Sequence, residues 1–169
     1  MQNKIFRILF LVLLFVLQVI ISEYLNLGPF VYICLVPIII LNIPLSTRTW
    51  ILLLEAFAIG LLLDMFSNGV LGLNSAAAVL LAACRKPIYK FTARRDRQDK
   101  TEIPNAGNIG ANKYLEYLAA CTALYILTYT LIDGAGINPF WLILAKFLAS
   151  TAVNVLVALL INRAIPERS

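Results

Sequence analysis

Residues 60–74 read GLLLDMFSNGVLGLN, and their pattern sets the architecture of the surrounding chain. An apolar run that begins at Trp50 reaches Asp64 and Phe66, then meets Ser67, Asn68 and Gly69; a second apolar run starts at Val70. So short a break between two long apolar runs predicts antiparallel helices joined by a tight turn. Asp64 is placed to accept N–H groups from the turn or from the following helix start, where negative charge is favoured. Gly69 permits positive φ, and Gly72 permits two backbones to touch. An aspartate that steadies a turn is sufficient physics for the stretch. A rigid αα hairpin available to a partner is the sharper reading.

The same apolar pattern extends outward in both directions. Apolar runs cover residues 5–22, 29–45, 50–66, 70–84, 114–132 and 140–161. The 169 residues are 61% hydrophobic and 14% charged, with a mean hydropathy of +0.86, too apolar for a soluble body of this size to enclose. Helical spans of about 20 residues each account for most of the length and leave short connections. The expectation is one all-α integral membrane domain over 1–169, a compact bundle of six transmembrane helices. The second and fourth runs are short, which predicts tilt or ends buried in protein. Lys4 and Arg7 precede the first run as in a signal peptide, but no A-x-A-like cleavage site follows, so it reads as an uncleaved helix.

Charge placement tests the six-span map. With alternating helices, every Lys and Arg except Lys146 falls on one side: before the first run, at Arg48, between 85 and 113, and after 161. The opposite connections, near 23–28, 67–69 and 133–138, carry none. The positive-inside rule then places both termini in the cytoplasm, with an even number of spans. Trp50 and Tyr114 sit at cytoplasmic ends, and Tyr24, Phe30, Phe140 and Trp141 at outer ends, as interfacial anchors do.

The long connection 85–113 opens basic, with Arg85, Lys86, Lys90, Arg94, Arg95 and Arg97, and continues rich in Pro, Gly and Asn. It reads either as a cytoplasmic dock for anionic lipid or a partner, or as a topology determinant alone, since Asp96, Asp99 and Glu102 dilute its charge. A net charge of +5 requires no nucleic-acid partner.

The chain contains no histidine, which excludes Ser-His-Asp and Cys-His catalysis, histidine zinc sites and imidazole-ligated haem. Cys34, Cys84 and Cys121 are widely spaced in or beside apolar runs and read as small buried residues, with neither a disulfide nor a metal expected. No catalytic residue and no cofactor is assigned.

Glu55, Asp64, Glu116 and Lys146 interrupt the spans. Glu116 lies at an interface and reaches water. From the rise per residue, Lys146 lies roughly 6 Å and Asp64 about 10 Å to the outer side of the midplane, and Glu55 about 4 Å to the cytoplasmic side. Ionisable groups at such depth are expected to face the bundle and find a partner. Asp64 matches Lys146 best in height; Glu55 requires the lysine stem to extend downward; alternatively Lys146 snorkels alone. Ala56 with Gly60, Ala78 with Ala82 and Ala145 with Ala149 repeat at four-residue spacing and suit close helix packing, while Ser150, Thr151 and Asn154 are candidates for interhelical hydrogen bonds.

The pattern G-x-x-x-D-x-x-S-x-x-x-x-G-x-x, carried by Gly60, Asp64, Ser67 and Gly72 in the middle of a small six-span chain, resembles the bacterial rod shape-determining protein MreD family. The alanine-rich run 76–83 followed at once by Arg85 is similar too. The resemblance implies a non-enzymatic inner-membrane component of the cell-elongation machinery. It implies binding to the single-span protein MreC, and through it a link from MreB filaments to a RodA-type glycosyltransferase and its transpeptidase partner. It also implies a fold similar to the S components of energy-coupling-factor transporters. The structural hairpin Gly60, Asp64, Ser67, Gly69 and Gly72 is the part of the chain that carries this expectation, with a second copy of the chain as a further candidate partner. A vitamin-type small-molecule carrier is the alternative; it would use Glu55, Asn74, Lys146 and Asn154 as pocket groups. An enzyme acting on lipid would need convergent acids, and the deep acids stand apart.

Overall fold

The computed structural model describes residues 2–24, 31–67, 70–93, 103–104, 106–134 and 139–164, and every regular element among them is helical. The order is α1 Gln2–Tyr24, α2 Val36–Leu41, α3 Thr49–Phe66, α4 Leu73–Ala93, α5 Ala106–Ile109, α6 Ala111–Gly134 and α7 Phe140–Ala164. α3, α6 and the Phe140–Ile161 part of α7 are long and apolar enough to cross a membrane, and Leu9–Tyr24 is a shorter apolar helix. Large apolar side chains point outward, among them Leu13 on α1, Leu62 on α3 and Leu148 on α7. In water this would be a liability; in lipid it is the expected surface. The chain is a helical membrane protein.

α4 lies between α3 and α6, and α7 packs on the far side of α6. Small residues explain how closely α4 approaches its neighbours: Ala56, Ala77, Ala78 and Ala82 are all buried. Gly60 is the tightest point, because a Cβ there would stand 2.5 Å from Ser75 Cα. α2 sits inside the assembly with all of its residues buried, touching α1, α3, α4 and α6.

The second apolar run differs from the 29–45 span expected of it. Residues 31–35 carry no regular structure, and only the six residues of α2 are helical. Pro37 is the physical reason: in the first turn it is tolerated, but a helix continued upstream would need its missing N–H and would clash with the carbonyl four residues back. Downstream the helix stops at Asn42, two residues before Pro44.

Two further helices differ in their boundaries. α4 begins at Leu73 rather than Val70 and runs through Pro87 to Ala93, so Arg85, Lys86 and Lys90 are helical residues and not part of a loop. α6 extends to Gly134, which brings Asp133 out of the connection and onto the last turn of a helix.

Candidate functional site

The hairpin between α3 and α4 is braced by one carboxylate. Asp64, 2% exposed on the last turn of α3, accepts through Oδ2 from Gly72 N–H at 2.9 Å, Ser75 N–H at 3.2 Å and Ser75 Oγ at 3.2 Å. Through Oδ1 it accepts from Asn74 N–H at 3.1 Å and Asn74 Nδ2 at 2.9 Å. α4 has no acidic residue in its own first turn, so the charge that complements its N-terminal dipole comes from α3. Leu73 N–H is taken by Val70 O and Ala76 N–H by Gly72 O, which completes the accounting of donors where α4 starts.

Gly72 does not make the backbone contact expected of it. Gly72 has φ +94 and open space where a Cβ would stand, so it serves the turn conformation. The close backbone contact belongs to Gly60. Ser67 ends α3, donating its N–H to Leu63 O at 2.8 Å. Gly69 lies outside the described residues.

Asn74 carries the brace into the bundle. Its Oδ1 accepts from Tyr32 Oη at 2.8 Å and from Tyr125 Oη at 2.7 Å, and Cys34 Sγ donates to Tyr125 Oη at 3.3 Å. The irregular stretch 31–35 is thereby surrounded by polar side chains that serve its backbone. Ser150 Oγ accepts from Tyr32 N–H at 2.9 Å, Asn154 Oδ1 from Cys34 N–H at 2.7 Å, and Gln18 Oε1 from Leu35 N–H at 2.5 Å. Asn154 Nδ2 donates to Tyr32 O at 2.6 Å and Gln18 Nε2 to Ile33 O at 3.3 Å. Non-helical backbone at membrane depth persists only where protein groups replace the missing helical bonds, and here α1 and α7 supply them. Asn154 was a sequence candidate and is central. Gln18 and Tyr32 were not; a lone amide in the apolar α1 is the signal that would have singled out Gln18.

Lys146 is held by Asp133 at 2.5 Å, not by Asp64 or Glu55, and its ammonium lies 5.7 Å from the Tyr129 ring centroid. Tyr129 in turn stacks on Tyr32 at 4.0 Å. The pairing follows from the extension of α6, which sets Asp133 across from α7. Asp64 is unavailable because its oxygens are already occupied.

Glu55 is exposed on α3, contrary to the expectation that it faces the bundle. It precedes Asp64 by nine positions, about two and a half helical turns, so the two carboxylates project to opposite sides. With Asp64 directed at α4, Glu55 is directed away.

Arg85, expected at the start of a basic loop, is fully buried. Its Nη1 donates to Ile40 O at 2.6 Å and its Nη2 to Ile43 O, placing a cation on carbonyls at and just beyond the end of α2. Lys86 Nζ donates to Thr47 O at 2.7 Å, while Lys90 is exposed in the last turn of α4. Arg94, Arg95 and Arg97 lie outside the described residues.

An open groove of about 470 Å³ beside the hairpin is lined by Phe57, Gly72, Ser75, Ala76, Val79, Leu80 and Ala83. The four small residues among them, Gly72, Ser75, Ala76 and Ala83, let another helix approach closely. Among the described residues, no group of three or more His, Cys, Asp or Glu side chains could hold a metal ion. The polar residues around Asp64 and Asn74 are engaged with one another; this arrangement holds shape. Comparison with protein-family models, curated proteins and solved structures finds no match to the chain.

Proposed function

We propose that the chain is a non-enzymatic scaffold of the bacterial cell-elongation machinery, of the MreD type, in the inner membrane with both termini cytoplasmic. The observation that carries this reading is the braced hairpin: the residues that resemble the family pattern, Gly60, Asp64 and Gly72, are those that hold the end of α3 against the start of α4. A preorganised surface binds without the entropic cost of ordering itself. The groove beside it, where Gly72, Ser75, Ala76 and Ala83 leave room for close approach, supports a helix of MreC as the occupant, with RodA-type synthase, its transpeptidase partner and MreB reached through that complex.

The test is co-purification of this protein with an MreC fragment that keeps its membrane span. Asp64→Lys combined with Gly72→Leu is expected to abolish recovery of the fragment, while total membrane insertion, read by protease protection of terminal tags, stays the same. Undiminished recovery would remove the hairpin as the interface.

A second reading, an S-component-like carrier of a vitamin-type molecule, is supported by the interrupted second segment, since transporters place binding sites at broken helices. Against it, Tyr32, Asn74 and Asn154 are bonded to each other's elements rather than lining open space. Thermal stabilisation by one compound in a vitamin panel would favour the carrier.

A further inference from the structure

The exposed carboxylate of Glu55 has no counterpart in the mechanics of the hairpin. α3 is packed against α4 along one side, and the side that carries Glu55 also presents Leu62 (46% exposed) and Phe66 (59%), two and three turns further on. The height of Glu55 is set by the antiparallel register of α3 and α4. Asp64 and Gly60 meet residues 72–75 at one end, and Lys86 reaches Thr47 and Thr49 at the other. Glu55 lies between these anchors, about 9 Å along the axis from Thr49, inside the apolar length of a helix able to cross a membrane.

Among the described residues no salt bridge reaches it; Arg48, seven positions earlier on the same side, sits at the helix end, about 10 Å along the axis. Lys146 is held by Asp133, and Lys86 is committed to Thr47 and Thr49. Arg85 senses the Glu55 charge, but its guanidinium is turned inward onto the carbonyls of Ile40 and Ile43. Hydrocarbon offers no donor. An acid on an outward apolar face of a spanning helix is retained where another protein group meets it.

We propose that this face of α3 docks a transmembrane helix of another protein that carries a lysine or arginine level with Glu55. Charge complementarity selects that occupant. A second copy of this chain is disfavoured because its own lysine within a spanning helix is already paired. Leu62 and Phe66 supply the apolar contact beside the ion pair, and the exclusion of water makes the pair specific. The proposal rests on the position of Glu55 and not on the elongation reading. Failure of the hairpin variant to lose MreC would leave it standing.

The test uses the full chain in phosphatidylcholine vesicles with a synthetic transmembrane helix of leucine and alanine bearing one central lysine, followed by energy transfer between the two. A central position makes the probe indifferent to its orientation. The lysine helix is expected to associate at least tenfold more tightly than the same helix with leucine at that position. Glu55→Gln removes the preference, and Glu55→Lys transfers it to a helix bearing a central glutamate. Equal association of the lysine and leucine helices with the unmodified chain overturns the proposal, and that comparison needs no variant to fold. Preference that survives in Glu55→Gln overturns it too. A dimer of the chain that Glu55→Gln dissociates, without any preference for the lysine helix, assigns the face to a second copy instead.

Discussion

α3 carries two carboxylates whose surroundings are opposite. Asp64 is buried and accepts from three backbone N–H groups, an amide and a hydroxyl. Glu55 is exposed among apolar side chains and, among the described residues, makes no hydrogen bond. The helix and the residue class are the same; the side of the helix differs. The contrast teaches that an intramembrane acid is not one kind of feature. Where protein donors converge it is a structural brace, and where none do it marks a surface that something else completes.

The largest expected effect separates these two roles by stability. Asp64→Ala strands the N–H groups of Gly72, Asn74 and Ser75, and is expected to cost about 3 kcal/mol or more. Glu55→Gln, exposed and without partners, is expected to cost less than about 0.5 kcal/mol. Reversible unfolding of both variants in mixed micelles reads the difference, and equal losses would break the contrast.

Gly60 and Gly72 sharpen it further. Gly60→Ala drives a Cβ into the Ser75 backbone and is expected to cost about 1–3 kcal/mol. Gly72→Ala meets no atoms and suffers only the positive-φ penalty of about 1–2 kcal/mol. Asparagine tolerates that conformation, so Gly72→Asn is expected to recover part of the loss, whereas Gly60→Asn recovers none. Recovery at both sites would mean that backbone contact is not what joins α3 to α4.

The smallest effect concerns the pair that resembles neither carboxylate. Lys146 and Asp133 are 23% and 30% exposed, intermediate between the two extremes. Lys146→Met is expected to change stability by about 1 kcal/mol or less, in line with partly exposed ion pairs. A loss near that of Asp64→Ala would move this pair into the class of the buried brace.

Several of these features can be read from residue order, and the reasons are local. Apolar content forces lipid-facing helices, because no soluble body of this size hides so much apolar surface. The three residues between Phe66 and Val70 force a tight turn, and an aspartate one turn before it finds uncapped N–H groups close at hand. Pro37 and Pro44 delimit the short helix of the second segment, a signal that the reading of 29–45 as one span left unused. Even the outward direction of Glu55 follows from its spacing to Asp64 once one of the two is oriented.

Arg85, Lys146 and the stretch 31–35 are different. A basic residue just after an apolar run reads as the start of a loop, yet α4 continues past Pro87 and Arg85 turns onto the carbonyls of another helix. Residue order offered Lys146 two acids, Asp64 and Glu55, and its choice of Asp133 instead depends on how far α6 extends and which way α7 is rotated. Residues 31–35 keep an irregular backbone because Gln18, Ser150 and Asn154 approach from helices distant in the chain. Periodicity encodes which side of a helix is apolar; it does not encode which polar groups from elsewhere arrive within hydrogen-bonding distance, and that is settled when the helices pack.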